Sequence, residues 1–226
     1  MAKGEQIKSK DRVVNHGEVF TNEREVNSML DLVKQETERL DSRFLEPACG
    51  DGNFLIAILN RKMNIVQLKS KNDIYSFKKN TEIALSSLYG VELLEDNTKE
   101  CRNRLYDFVY KIYHKLEKKD DELFLSSVKY LLETNIICGD ALTLKDSEGN
   151  PLTFAEWGFH DDFVTRRDFT LSTLLEAETY KINEKEDTEQ LSLFDDDTWD
   201  DVYQSICLPI REYKDVHFLK VGVSYE

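Results

Sequence analysis

The stretch FLEPACGDGNF, residues 44–54, joins a short apolar segment to a turn that contains two glycines. Its first residues predict the end of a buried strand, and the apolar run after the glycines predicts a helix. Gly50 and Gly52 give the backbone the freedom that a tight turn requires, and the start of the next helix offers free N–H groups to a ligand. The stretch therefore predicts a strand, a ligand-binding turn and a helix.

Strands and helices continue to alternate beyond this unit. Apolar periodicity indicates three strands and four helices in the first 140 residues. In chain order they are a helix at 22–40, a strand at 43–47, a helix at 54–62, a strand at 87–93, helices at 95–114 and 121–133, and a strand at 135–140. Asn22 and Glu25 are expected to form a capping pair at the start of the first helix. We expect the polar, lysine-rich residues 64–83 to form an insertion or an extended helix–loop. The β–α–β–α–β order predicts a parallel sheet with right-handed crossovers.

The pattern weakens after residue 141. Residues 147–151 predict a turn, residues 182–202 an acidic flexible segment, and residues 203–210 and 216–225 two late strands. We therefore expect a ligand-binding domain over residues 1–181, the flexible segment over 182–202, and C-terminal strands over 203–226 that return to the sheet.

Composition and charge narrow the classes of protein to consider. No apolar run reaches the 18 residues of a membrane span, and the N-terminus lacks the apolar core of a secretory signal. The four cysteines are widely spaced, which argues against a metal site and a disulfide framework and favours a cytoplasmic protein. The net charge of −14 does not exclude DNA as a partner, because residues 182–202 hold nine acidic residues against one lysine.

Three acidic residues follow the three predicted strands. Glu46, Glu92 and Asp140 stand where the strands end, and ligands bind at this edge of an open α/β sheet. An acid at the end of the second strand suits the two hydroxyls of a ribose, and an acid after the third suits the exocyclic amine of adenine. These positions predict a nucleoside site.

The glycine turn lacks the features that hold phosphates. A dinucleotide fingerprint needs a third glycine, and a P-loop needs GK[ST]; the residues after Gly52 supply neither. S-adenosylmethionine, which has a ribose and an adenine but no phosphate, fits these residues. A structural turn that binds nothing is the alternative for an isolated GxG pattern.

EPACGDGNF, residues 46–54, resembles the (D/E)PACGxGxF signature of adenine-N6 DNA methyltransferases of restriction–modification systems. HGEVFTNEREVNSML, at 16–30, resembles the segment that precedes this signature in the family. LYGVELLEDNTKECRNRL, at 88–105, and NIICGDAL, at 135–142, resemble its second and third strand regions. The resemblance spans residues 15–142 and implies a Rossmann-like open parallel sheet of the class I methyltransferase type, incomplete or divergent in its C-terminal half.

The resemblance also implies S-adenosylmethionine as cofactor, DNA as substrate and a set of cofactor-binding residues. These are Phe20 and Thr21 at the methionine end, Glu46, Ala48, Gly50 and Gly52 around the amino-acid moiety, Glu92 at the ribose hydroxyls, and Leu93, Asp140 and Ala141 at the adenine. The sequence departs from the family at Asn22, where a proline is usual. Glu92 also lies 40 residues after Gly52, which requires residues 64–83 to loop out.

The catalytic (N/D)PP(Y/F/W) motif of the family is missing from these 226 residues. The nearest sequence is NPLTF at 150–154, where Asn150 and Pro151 are candidates for a degenerate catalytic loop and a hairpin turn is the alternative. Trp157, Phe159 and residues 166–169 suit base stacking and phosphate contacts, but such residues are more often core aromatics and surface arginines. The chain is therefore expected to be an adenine-N6 DNA methyltransferase, or the cofactor-binding subunit of one with a separate catalytic or specificity subunit. A small-molecule or protein methyltransferase is disfavoured.

A second motif, QLSLF at 190–194, lies in the acidic segment. It resembles the peptide by which bacterial replication and repair proteins bind the sliding clamp, with Gln190, Leu191, Leu193 and Phe194 as the contact residues. A short strand that packs on the protein is the alternative. This motif implies a bacterial or phage origin and raises a second hypothesis for the whole chain, an inactive methyltransferase-fold adaptor that docks on the clamp.

Overall fold

A computed structural model describes residues 21–176 and 208–225 of the chain. Its centre is a parallel sheet of three strands in the spatial order β1-β2-β3, formed by β1 (Phe44–Glu46), β2 (Leu88–Glu92) and β3 (Ile136–Cys138). Every residue of β2 is buried, as expected for the central strand. Glu46 lies opposite Gly90, and Glu92 lies opposite Cys138. The prediction of a mixed α/β fold with a parallel sheet is confirmed.

Six helices surround these strands in the described part of the chain before β3. They are α1 (Glu23–Leu32), α2 (Lys34–Thr37), α3 (Asn53–Ser70), α4 (Ile74–Ser86), α5 (Glu95–Leu116) and α6 (Glu122–Asn135). The predicted cap of α1 is present, because Asn22 Oδ1 accepts a hydrogen bond from the Glu25 N–H at 3.0 Å. None of the described helices is long and apolar enough to span a membrane.

Of the two alternatives for residues 64–83, the structure agrees with the extended helix–loop and not with an insertion. Residues 64–70 extend α3, and residues 74–83 belong to α4, which starts where Asp73 accepts a hydrogen bond from the Ser76 N–H at 2.9 Å. Val66 and Phe77 are buried in the core. The apolar positions were hidden among lysines because each helix exposes a polar face. Two helices, α3 and α4, therefore connect β1 to β2. Residues 64–83 do not have to loop out for Glu92 to lie at the end of β2.

A second, antiparallel sheet follows the parallel one. It contains β4 (Thr153–His160), β5 (Phe163–Thr170), β6 (Arg211–Glu212) and β7 (Val216–His217), with β6 and β7 both paired to β5. A two-residue turn joins β4 to β5, and its first residue, Asp161, has φ +50°. In the described residues, no fourth strand joins the parallel sheet.

In its described part, residues 208–225, the C-terminal segment differs from the strand predicted at 216–225, and most of the strand predicted at 203–210 lies outside the described residues. Within 208–225 only the short β6 and β7 are extended, and they pair with the antiparallel sheet and not with the parallel one. Residues 218–224 are helical, as a 3₁₀ turn (Phe218–Lys220) and helix α7 (Val221–Ser224). Gly222 permits this packing, because a Cβ there would lie 2.4 Å from the carbonyl carbon of Ser126 on α6.

Candidate ligand-binding site

The carboxyl ends of the three parallel strands open onto a cavity of about 520 Å³, a size typical of small-molecule sites. Most of the residues predicted to bind a cofactor lie in its wall. They are Thr21, Ala48, Gly50, Glu92, Leu93, Asp140 and Ala141. The topology explains this convergence, since parallel strands end at the same edge of a sheet.

Three predicted residues are not found in the cavity wall. Phe20 lies outside the described residues. Glu46 is at the end of β1, and burial raises the pKa of its carboxyl group, opposed by a hydrogen bond from the Ala48 N–H. Gly52 is the N-cap of α3. The cavity wall thus receives Ala48 and Gly50 from the predicted loop, while Glu46 and Gly52 do not line it.

Gly50 and Gly52 shape the turn between β1 and α3. Their φ angles are +55° and +93°, which L side chains rarely adopt. A Cβ at Gly52 would also lie 2.7 Å from the Sγ atom of Cys101 on α5. Position 52 is therefore restricted to glycine by both conformation and space, and the turn brings the first N–H groups of α3 toward the cavity.

Glu92 is fixed by neighbouring donors at the end of β2. Its Oε2 atom accepts a hydrogen bond from the Gly50 N–H at 2.9 Å, and Oε1 accepts from the Leu94 N–H at 3.0 Å and from Asn97 Nδ2 at 3.4 Å. The residue is only 8% exposed. Its carboxylate is thus held in one orientation, and these three contacts leave one of its roughly four acceptor sites to a ligand in the cavity.

Asp140 occupies a sharp turn directly after β3. Its Oδ1 atom accepts from the Leu142 N–H at 2.8 Å, and Oδ2 accepts from Thr143 Oγ1 at 3.0 Å. The bond from Leu142, supported by that from Thr143, lowers the pKa of this carboxyl group. At neutral pH the cavity therefore presents Asp140 as an ionised acceptor.

Sequence reasoning missed three polar residues of the wall, Asp51, Asn53 and Asn97. Asp51 lies inside the GDG turn, and its position between two glycines was the available signal. Asn97 is on the first turn of α5, and nothing in the sequence alone connects it with Glu92. With Asp51 included, three carboxylates line the cavity, and none of its described lining residues is Lys, Arg or His.

The candidates for a degenerate catalytic loop are not brought to the cavity. Asn150 closes a turn with Asp146, donating from its N–H to Asp146 Oδ1 at 2.8 Å and from Nδ2 to Oδ2 at 3.1 Å. Pro151 continues from this turn toward β4, and neither residue lines the cavity. The side chain of Asn150 is thus engaged in shaping the turn.

Trp157 and Arg166 make structural contacts. Trp157 is 8% exposed, and its Nε1–H donates to Asn135 Oδ1 at 2.9 Å. Arg166 forms a bidentate pair with Asp168 at 2.7 and 2.9 Å and lies over the ring of Tyr213. These contacts join the antiparallel sheet to α6 and to the C-terminal segment, in keeping with core positions.

The predicted clamp-binding residues Gln190, Leu191, Leu193 and Phe194 lie outside the described residues, as does the whole acidic segment. Clamp binding and the domain boundaries drawn around this segment stay predictions.

Comparison with known proteins gives one family match and one distant relative. Residues 19–164, more than half of the chain, match the family described as MmeI, DNA-methyltransferase domain. A protein of Methanocaldococcus jannaschii, provisionally described as a type II restriction enzyme and methyltransferase, is 27% identical over 131 residues. The match covers 55% of this chain but only 11% of that protein. No solved structure matches the chain.

Proposed function

Because the chain belongs to the family of MmeI DNA-methyltransferase domains, we propose that its cavity binds S-adenosylmethionine and that the chain is the cofactor-binding part of an adenine-N6 DNA methyltransferase. The family establishes the methyltransferase domain of a restriction–modification type. The identity of the cofactor, the atom that is methylated and the role of each residue are parts of the proposal.

The charge of the cavity carries this proposal. Its wall holds Asp51, Glu92 and Asp140, and none of its described lining residues is Lys, Arg or His. Arg104 pairs with Asp51 from α5 without lining the cavity, so Glu92 and Asp140 contribute most of the negative charge. A nucleotide with phosphates would meet like charge there and would find no lysine or arginine to neutralise it. S-adenosylmethionine carries a sulfonium and an ammonium group against a single carboxylate, so its net charge complements that of the wall.

The positions of the donors and acceptors fit the same molecule. Glu92, held at the end of β2 by Gly50 and Leu94, would accept hydrogen bonds from the two ribose hydroxyls, the second in place of the long contact from Asn97 at 3.4 Å. Asp140 would accept one from adenine N6, and Leu93, which is 57% exposed, would cover a face of the adenine. The first N–H groups of α3 would meet the cofactor's carboxylate at the positive end of the helix dipole.

When bound, the cofactor supplies a methyl group that its positive sulfur makes electrophilic. The residues of this chain would then orient that methyl group and exclude water from the wall of the cavity, which are effects of proximity and preorganisation. A group that binds the target amine is also required, and the (N/D)PP(Y/F/W) motif that does so in the family is not within these 226 residues. We infer that a segment outside these residues, in the same polypeptide or in a separate subunit, holds the base flipped out of the duplex.

Transfer of a labelled methyl group to DNA tests the proposed activity. The chain is assayed in its natural polypeptide or with the subunits encoded beside it, and the DNA is then digested to nucleosides. We expect the label in N6-methyladenine, and about 10-fold less label or lower at limiting cofactor when Glu92→Gln replaces the wild-type residue. Label in methylcytosine would refute the adenine-N6 assignment, and labelled protein or small molecule without labelled DNA would refute the substrate class.

A further inference from the structure

Asp51 is the one acidic residue of the glycine turn that lines the cavity, and neither the sequence motif nor the family match gives it a role. It stands between Gly50 and Gly52, both at positive φ, so the chain bends on either side of it. Its side chain is 20% exposed. The turn thus places a carboxylate in the wall next to the N-terminus of α3.

Arg104 on α5 fixes this part of the turn through three acceptors. Its Nη1 atom lies 2.8 Å from Asp51 Oδ2 and donates to the Asp51 carbonyl oxygen at 2.7 Å. Its Nη2 atom donates to Asn53 Oδ1 at 3.0 Å. A guanidinium presents its donors in a rigid fork, so contacts to two residues on either side of Gly52 hold the turn in one position.

The second carboxylate oxygen of Asp51 has no donor. Oδ1 is shielded from solvent and accepts no hydrogen bond from any of the described residues. A buried acceptor without a partner carries a free-energy penalty, which a ligand donor would remove. The terminal torsion of an aspartate is broad, so a small rotation can turn Oδ1 toward the cavity that the residue lines.

Glu46, to which the sequence motif assigns the amino-acid moiety of the cofactor, is less suited to bind a cation. It does not line the cavity, and burial raises the pKa of its carboxyl group. Asp51 lies in the wall, and Arg104 holds one of its oxygens while leaving the other without a donor.

We propose that Asp51, positioned by Arg104, accepts a hydrogen bond from the ammonium group of the amino-acid moiety of S-adenosylmethionine. This assignment rests on the proposed function and adds to it the residue that recognises the cationic end of the cofactor. Arg104 acts as the positioning residue, because its contacts leave Oδ1 as the open acceptor.

Calorimetric titration with two ligands tests the assignment. One ligand is S-adenosylhomocysteine, and the other is its deaminated analogue, which keeps the adenosine, the sulfur and the carboxylate but lacks the ammonium group. We expect Asp51→Asn to bind S-adenosylhomocysteine about 10-fold or more weakly than wild type, as for the loss of a hydrogen bond between charged groups. Wild type and Asp51→Asn should bind the deaminated analogue equally, because the group that Asp51 recognises is absent from it.

Two further comparisons separate the outcomes. Glu46→Gln is the matched variant, and it should discriminate between the two ligands as strongly as wild type does. The wild-type protein should bind the deaminated analogue more weakly than S-adenosylhomocysteine. This comparison of two ligands uses no substitution, so it does not depend on the folding of a variant. Wild type that binds neither ligand would overturn the proposed function and this assignment with it. Wild type that binds both equally, or Asp51→Asn that retains full affinity for S-adenosylhomocysteine, would overturn the assignment alone.

Discussion

The carboxylate of Glu92 accepts a hydrogen bond from the backbone N–H of Gly50 at 2.9 Å, which joins the end of β2 to the turn that follows β1. The same carboxylate accepts from Leu94 at the start of α5. One side chain therefore fixes two of the segments that form the cavity before any ligand enters. Such preorganisation reduces the conformational entropy that binding would otherwise cost.

Glu92→Gln is expected to weaken binding of S-adenosylmethionine about 10-fold or more, since it replaces a charged acceptor of hydrogen bonds by a neutral one. It should also lower the free energy of unfolding by ~1 kcal/mol, because an amide cannot accept as many hydrogen bonds as the carboxylate does. Calorimetry and urea denaturation measure the two effects. Glu95→Gln is the control, because Glu95 is 72% exposed and pairs only with Lys99 in its salt bridge. Unchanged affinity of Glu92→Gln would remove Glu92 from the site.

Asp140→Asn should weaken the binding of S-adenosylmethionine by a similar factor of about 10. The asparagine can still accept from the Leu142 N–H, so the turn after β3 should persist, but the negative acceptor proposed for adenine N6 is lost. The informative measurement compares adenosine-containing ligands with and without the exocyclic amine. Asp140→Asn should bind the inosine analogue of S-adenosylhomocysteine no more weakly than wild type does. An equal loss for both ligands would show that Asp140 does not contact the amine.

Gly52→Ala should destabilise the fold more than Gly149→Ala does. Both glycines have φ near +90°, so both substitutions carry the strain of a left-handed alanine, roughly 1 kcal/mol. A Cβ at Gly52 would in addition meet Cys101 Sγ at 2.7 Å, whereas a Cβ at Gly149 would meet nothing within 4 Å. The difference between the two free energies of unfolding, from urea denaturation, isolates the contact with Cys101. Equal losses would contradict the close packing of the turn against α5.

Glu82 on α4 predicts a dependence of stability on pH. It is fully buried, neither of its carboxyl oxygens has a partner among the described residues, and burial raises its pKa well above 4.5, with Asp121 adding to the effect. The folded state thus keeps a proton that the unfolded chain releases at lower pH. The free energy of unfolding should therefore fall as pH rises from about 4.5 toward the raised pKa.

Glu82→Leu removes the titrating carboxyl group together with its two buried oxygens, which have no hydrogen-bond partner among the described residues. We expect it to raise the free energy of unfolding at pH 7 by ~1–3 kcal/mol and to flatten the pH dependence above 4.5. Urea denaturation of wild type and variant over a range of pH checks both effects. Glu133→Gln, on the exposed face of α6, should keep the wild-type slope. A variant with the same slope as wild type would mean that Glu82 is not the titrating group.

The sequence was sufficient to predict the parallel strands and most of the cavity. Each of these strands is a short apolar run that ends in or just before an acidic residue. The sequence pattern therefore indicates both the strand and the position at which it ends. That Glu92 and Asp140 lie at the same edge of the sheet then followed from the geometry of parallel strands.

The parts that were mispredicted depend on contacts distant in the sequence. Polar residues along α3 and α4 concealed buried residues such as Val66 and Phe77, whose partners lie on other elements of the core. The contact of Asp51 with Arg104 joins residues that are 53 positions apart in the chain. No local pattern could have shown that contact.

Isothermal titration of the wild-type protein with S-adenosylmethionine, ATP and NAD tests most directly whether the cavity selects a cationic nucleoside without phosphates. We predict one bound S-adenosylmethionine per chain, displaced by S-adenosylhomocysteine, with no binding of ATP or NAD. Binding of ATP or NAD in preference to S-adenosylmethionine, or binding of S-adenosylmethionine that Glu92→Gln and Asp140→Asn leave unchanged, would contradict the proposed site.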